Sequence, residues 1–218
     1  MLSQHSKEKS KVHTPGLLRH MYQTLRGREQ VLVRPAADLP LVLITYPKGD
    51  GVGAGHFREI LEDHWLMIPG QFRARYQPIL ESAPHLMVVL MHRHNVCDCL
   101  GHHHPPGTES RLTHKLRNLS GVRTGEMDLA YEAIRQWEPL PLSHLALPPE
   151  ADSQEFASLQ WQLALLAVFL HEIHHMVQPQ DSEFVVRTVS QKFYTDCLSY
   201  FVAQQFGVEF GLRRAAGD

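Results

Sequence analysis

The stretch that decides how this chain is read is Gln154–Gln178, which ends in Leu170-His171-Glu172-Ile173-His174-His175-Met176-Val177-Gln178. It contains no proline and no glycine, and Leu163 to Leu170 consists only of Leu, Ala, Val and Phe. Ala and Leu are strong helix formers. Asp152 or Ser153 can cap the start, and Pro179 stops the helix just past Gln178. The expectation is a helix over about residues 154–178, apolar on every side between Leu163 and Leu170 and therefore buried there.

At about 3.6 residues per turn, His171 and His175 stack on one helical face, with Glu172 beside them. Two imidazoles so placed can take two corners of a tetrahedral zinc site, and the glutamate then faces the water position. The pentad alone is a weak signal, because 16 of the 218 residues are histidine. Its context is stronger. The helix carries the histidines out of a buried stretch, and buried imidazoles need polar partners that a metal can supply. His174 fits no zinc corner if its neighbours do, and is read as a supporting or surface histidine.

Catalytic zinc usually has three protein ligands and one open position. A second helix is expected from Phe184 to about Gln205. On a wheel centred on Asp196, the residues Val185, Val189, Phe193, Tyr200 and Ala203 fall within about 60°. An aspartate in an apolar stripe needs a partner, so Asp196 is the expected third ligand. Asp181 and Glu183 compete, being nearer in sequence, though they also suit a turn and a helix start after Pro179.

With these residues the chain resembles the zincin metallopeptidases, nearest to the gluzincin type, over about residues 154–206. The resemblance implies that His171 and His175 bind Zn2+, that Glu172 is the general base, and that an acidic residue on a second helix completes the site. Gluzincins use glutamate there, where Asp196 is the expectation here. Neither the aspzincin signature nor the third histidine of metzincins is reproduced, that last position being Asp181. Transition-state donors are sought among His144, Tyr194 and Tyr200.

Two other segments concentrate chemistry. The run His92-Arg93-His94-Asn95-Val96-Cys97-Asp98-Cys99-Leu100-Gly101-His102-His103-His104 holds five histidines and two of three cysteines. Cys97, Cys99 and His102 form a possible second metal site, although C-x-C is tight for one tetrahedral ion. The run also reads as a polar loop closed by Pro105-Pro106-Gly107, or as a wall of the catalytic cleft. Gly49-Asp50-Gly51-Val52-Gly53-Ala54-Gly55 formally fits a dinucleotide fingerprint with alanine last. No following strand ending in an acidic residue supports that, so a flexible hairpin or lid loop is expected, with a short helix from His56 to about His64.

The remaining expectations set the frame. Residues 1–15 form a polar basic arm and 16–218 a single domain, with a helix from Leu17 to about Leu25. Strands are expected near Val31–Val33, Leu41–Tyr46 and Leu86–Met91, and a helical zone over Phe72–Glu81. Gly107–Gly121 reads as a mobile loop. Glu126–Trp137 reads as a helix, or Glu126–Ala130 as an edge strand against which a zincin would lay its substrate. Prolines 139, 141, 148 and 149 mark a connector. The order gives an α+β fold: a small N-terminal sheet with helices, then a two-helix zinc unit.

A net charge of −2 gives no general case for nucleic acid. The N-terminus lacks a signal-peptide core and the apolar run is too short to span a membrane, so a cytoplasmic setting is expected. The leading expectation is a zinc-dependent hydrolase acting on a protein or peptide. The alternatives are a non-catalytic metal-binding regulatory module and a nucleotide-binding protein using Gly49–Gly55.

Overall fold

The computed structural model describes residues 27–35, 38–94, 99–137 and 154–206. The expected arm, the Leu17–Leu25 helix, the proline connector and His144 lie outside them. Five strands form one mixed sheet in the order β1-β2-β3-β5-β4: β1 (Arg28–Val33), β2 (Leu41–Pro47), β3 (Leu86–His92), β4 (Gly101–His103) and β5 (Thr124–Ala130). Strands β2, β3 and β5 run parallel, while β1 and β4 close the two edges antiparallel. Strands β2 and β3 are largely apolar on both faces, as parallel strands covered by helices are, whereas β5 is apolar toward the main core and carries Thr124, Glu126 and Asp128 on its other face.

Period-two alternation assigns the faces. Val42, Ile44, Met87, Val89, Met91, Met127 and Leu129 enter the main core. Leu43, Leu86 and Val88 face the other way and are covered by Leu112 and Leu116 of the helix Arg111–Ser120. Around the sheet the helices are α1 (Gly51–Glu59), α2 (Gly70–Arg73), α3 (Gln77–Ser82), α4 (Arg111–Ser120), α5 (Tyr131–Gln136), α6 (Gln154–Val177) and α7 (Glu183–Phe206). The protein is an α+β fold, as expected.

Helix α6 is the axis of the main core. Leu163, Leu165, Leu166, Ala167, Phe169 and Leu170 are all inaccessible to solvent. The helix is long and apolar enough to cross a membrane, but 72 % of that stretch is buried within the fold. Its partners in the protein already account for its hydropathy.

Three segments depart from the sequence reading. Gly107–Gly121 is not a loop throughout: it holds α4, whose N-terminus is capped by the Ser110 hydroxyl accepting from Thr113 N–H. Leu112 and Leu116, four apart, supply its buried stripe. The glycine-rich segment is no lid. Gly51, Gly53 and Gly55 lie inside α1, which runs on through a π-helical turn, Ile60–His64, and a short 3-10 turn, Trp65–Met67. A Cβ at Gly53 would sit 2.6 Å from Tyr131 Cδ2, so glycine lets α1 press against α5. Finally, Glu126–Ala130 is a strand but an interior one, flanked by β3 and β4, and the helix begins only at Tyr131. The edge on that side is β4.

A candidate metal centre beside an edge strand

The last two turns of α6 carry His171, Glu172 and His175. The chain then reverses within five residues and α7 begins at Glu183. That reversal is tied down by His174. Its side chain is almost wholly buried, and its Nε2 meets Asp181 Oδ2 at 2.9 Å and Gln178 Oε1 at 3.2 Å. Gln178 and Asp181 continue the turn through backbone bonds to His174 and Gln178 carbonyls. His174 is therefore a turn anchor, buried rather than on the surface.

The turn delivers Glu183 onto the histidine pair. Glu183 Oε2 lies 2.9 Å from His175 Nε2 and 3.5 Å from His171 Nε2. One donor atom from each of the three residues falls within 4.8 Å of the others. Asp196, the expected third ligand, is elsewhere: its carboxylate pairs with Arg75 and, at 3.5 Å, with Lys192. An aspartate in an apolar stripe needs a partner, and here that partner is a guanidinium reaching over from the α2–α3 turn. Asp181 is also excluded from the cluster by its bond to His174. Glu183 occupies the position sought.

The hydrogen-bond pattern around His171 suits it as a donor to a metal, whereas His175 gives its Nε2–H to Glu183 Oε2 at 2.9 Å. The Ser190 hydroxyl gives its single proton to the Arg187 carbonyl at 3.0 Å. With its proton so placed, the hydroxyl is an acceptor for His171 Nδ1, 3.2 Å away. A proton on Nδ1 leaves the Nε2 lone pair facing Glu183 and His175. Burial holds His171 below the ordinary imidazole pKa, working against the raising effects of Glu172 and Glu183. Burial also disfavours ionised Glu183, but His171, His175 and Arg187 outweigh it and keep the carboxyl below its usual range. A neutral His171 and an ionised Glu183 are the states in which these two groups ligate zinc. The residues present thus fit a zinc ion.

Glu172 is buried beside this cluster, with 6 % of its surface exposed. Its Oε2 accepts from the backbone N–H of His103 at 3.1 Å, and the His103 ring Nδ1 stands 3.4 Å from the same oxygen. His103 also stacks on His175, with ring centroids 5.8 Å apart and planes 15° apart. The edge strand therefore lies directly along α6. Gly101 makes that approach possible, because a Cβ there would fall 2.8 Å from Val168 Cγ1 and 2.9 Å from Glu172 Oε1.

A cleft of about 590 Å³ opens over the cluster, walled by β4 and its approach from Cys99, by α6 and by the first turns of α7. The histidine-rich run is thus a wall of the cleft. As a second metal site it changes character. Cys99 is disulfide-bonded, so its sulfur is not a thiolate ligand, and Cys97 lies outside the described residues. His102 pairs opposite Asp128 and its ring packs against those of its neighbours His103 and His104. Of the expected transition-state donors, Tyr194 is buried against Trp137 and Tyr200 packs on Phe72 and Phe201. Neither lines the cleft.

The residues that the sequence reading overlooked are Arg187 and Ser190, which follow Glu183 at helical spacings of four and seven. Gly101 and His103 belong to the histidine-rich run already read as a cleft wall, without their individual roles. An α+β protein with a two-histidine, one-carboxylate centre in an open cleft is what the fold and site define. No protein-family model, curated protein or solved structure matches the chain.

Proposed function

We propose that this chain is a zinc-dependent hydrolase of peptide bonds in a protein or peptide, built on a zincin-like two-helix unit. The observation that carries the reading is the convergence of His171, His175 and Glu183 donor atoms within 4.8 Å at the cleft, with the carboxylate of Glu172 alongside. Zinc, when bound, supplies a Lewis acid that polarises a carbonyl and acidifies water. His171, His175 and Glu183 hold it, with His171 oriented by Ser190. Glu172 is the general base. Its Oε2 is fixed by the His103 N–H, which leaves Oε1 to accept the proton of the attacking water and return it to the leaving amine nitrogen. A cytoplasmic setting belongs to the same proposal, with the disulfide at Cys99 as the observation that weighs against it.

The test compares the purified chain with Glu172→Gln. About one zinc per chain in both, with peptide cleavage lost by about 10²–10⁴-fold in the variant, is the expected outcome. Cleavage at the wild-type rate by Glu172→Gln would overturn the mechanism. Zinc binding with no effect of the substitution on any biological activity would favour a non-catalytic metal-binding module.

A further inference from the structure

Resting on that reading, we infer that the cleft recognises substrates through a carboxylate placed next to the scissile bond, and that Arg187 is the residue that selects it. The zinc site itself consumes both acidic residues of the cleft wall: Glu183 as ligand and Glu172 as base. Arg187 is the one lysine or arginine among the described lining residues. With a dication bound, the formal charge of the cleft is then positive, since two carboxylates offset the metal and the guanidinium remains. A positive cleft with a fixed guanidinium favours an anionic ligand.

The geometry orients Arg187 for this. Its Nε and Nη2 donate to Glu183 Oε1 at 3.2 and 2.8 Å. Glu183 meets the histidines through its other oxygen, Oε2. The guanidinium is thereby held about one carboxylate's width from the metal ligands, while 61 % of the side chain remains exposed. Gln191 follows one turn later and lines the same cleft, adding an amide donor. Arg and a neighbouring amide make a forked donor set suited to a carboxylate. Leu100, Trp137 and Val168 add apolar surface to the same lining. An apolar residue bearing a carboxylate matches both kinds of surface.

Two sources offer that carboxylate: a free C-terminus one residue beyond the scissile bond, or an Asp or Glu side chain within a longer peptide. Two matched pairs of peptides separate them. One pair ends in Phe as the free acid or as the amide. The other is amidated, with Glu or Gln flanking the scissile bond. The ratio of kcat/KM within each pair is measured for the zinc-loaded wild type, Arg187→Gln and Arg187→Lys. A ratio needs no assumption about absolute rate, which Arg187→Gln also changes through Glu183.

A preference of roughly five- to tenfold is expected in one pair, because the guanidinium is at an open rim rather than buried. It should collapse toward unity in Arg187→Gln and survive in part in Arg187→Lys. Preference for the free acid makes the substrate end a C-terminus; preference for Glu makes it an acidic side chain. Equal cleavage in both pairs, or a preference unchanged by Arg187→Gln, overturns the inference. If no peptide is cleaved, the peptidase reading fails separately. Calorimetry then decides on Arg187, by comparing the affinity of the Phe acid and amide peptides for zinc-loaded Glu172→Gln with and without Arg187→Gln. Equal affinities for acid and amide would overturn carboxylate recognition without reference to turnover.

Discussion

The molecule contains two clusters of the same composition, two histidines and a carboxylate, on opposite sides of its edge strand. At the α6–α7 turn, His171, His175 and Glu183 converge in an open cleft. On the other face of the sheet, His92 and His104 donate from Nε2 to the two oxygens of Asp128, each at 2.7 Å. Arg28 lies close enough for Asp128 to act on its charge, and His104 Nε2 stands 3.9 Å from Glu126. The difference lies in where the ring nitrogens point. Around Asp128 each imidazole spends its Nε2–H on a separate carboxylate oxygen, so the cluster satisfies itself. At the turn a single oxygen, Glu183 Oε2, meets both rings, at 2.9 Å from His175 Nε2 and 3.5 Å from His171 Nε2. Composition marks both clusters alike; the convergence of three donor atoms within 4.8 Å is what distinguishes the proposed ligand site.

Zinc stoichiometry breaks this comparison most sharply. His171→Ala and Glu183→Ala are each expected to weaken zinc by more than about 100-fold, beyond the usual cost of losing an outer partner. His92→Ala, Asp128→Asn and Asp196→Ala should leave about one zinc bound per chain. Zinc lost from Asp196→Ala but kept in Glu183→Ala would reverse the assignment.

Gly101→Ala is the next largest effect. Its Cβ would press on Val168 and Glu172, so the strand or the base must move. Turnover should fall by about 10²-fold, the scale for a misplacement near 1 Å, while zinc stays bound. Paired measurement of metal content and rate checks this, and loss of both together would place the damage in the fold instead.

Smaller still is Ser190→Ala, expected to weaken zinc by about 10-fold through the freed His171 ring. Competition titration with a chelator measures it.

The second cluster gives a stability effect without a metal effect. Burial opposes ionised Asp128, but His92 and His104 outweigh it and hold the carboxyl below its ordinary range. A depressed folded pKa means that the contribution is present above the unfolded value, near pH 4, and is lost as pH falls through the folded one. Asp128→Asn should therefore cost about 1–2 kcal/mol at pH 7, with the gap to wild type closing in acid. Denaturant melts at several pH values read it directly.

The sequence exposed the local half of this architecture. Helix α6 was readable because its composition, cap and Pro179 agree, and the histidine pair because four-residue spacing is a property of one helix. Strands β2 and β3 were readable as continuous apolar runs. Helix α4 was hidden because its mean composition is polar and only Leu112 and Leu116 mark its face. Glu183 lost to Asp196 because an acidic residue at a helix start has an ordinary reading, and nothing local says that Arg75 supplies the partner Asp196 needs. The placement of β4 was least accessible: its three residues pair with β5 across more than twenty positions, and no pattern within Gly101–His103 announces an edge.

Residues 171 to 183 hold all three proposed ligands on a single hairpin, closed by a short loop at small entropic cost. The contact that aims Glu172 joins residues 69 positions apart. Holding a metal and using it are thus tasks of different contact order. If the proposed site holds, a change in β4 costs the chemistry and spares the three ligands of the hairpin, whereas loss of a ligand leaves Glu172 aimed at an empty centre.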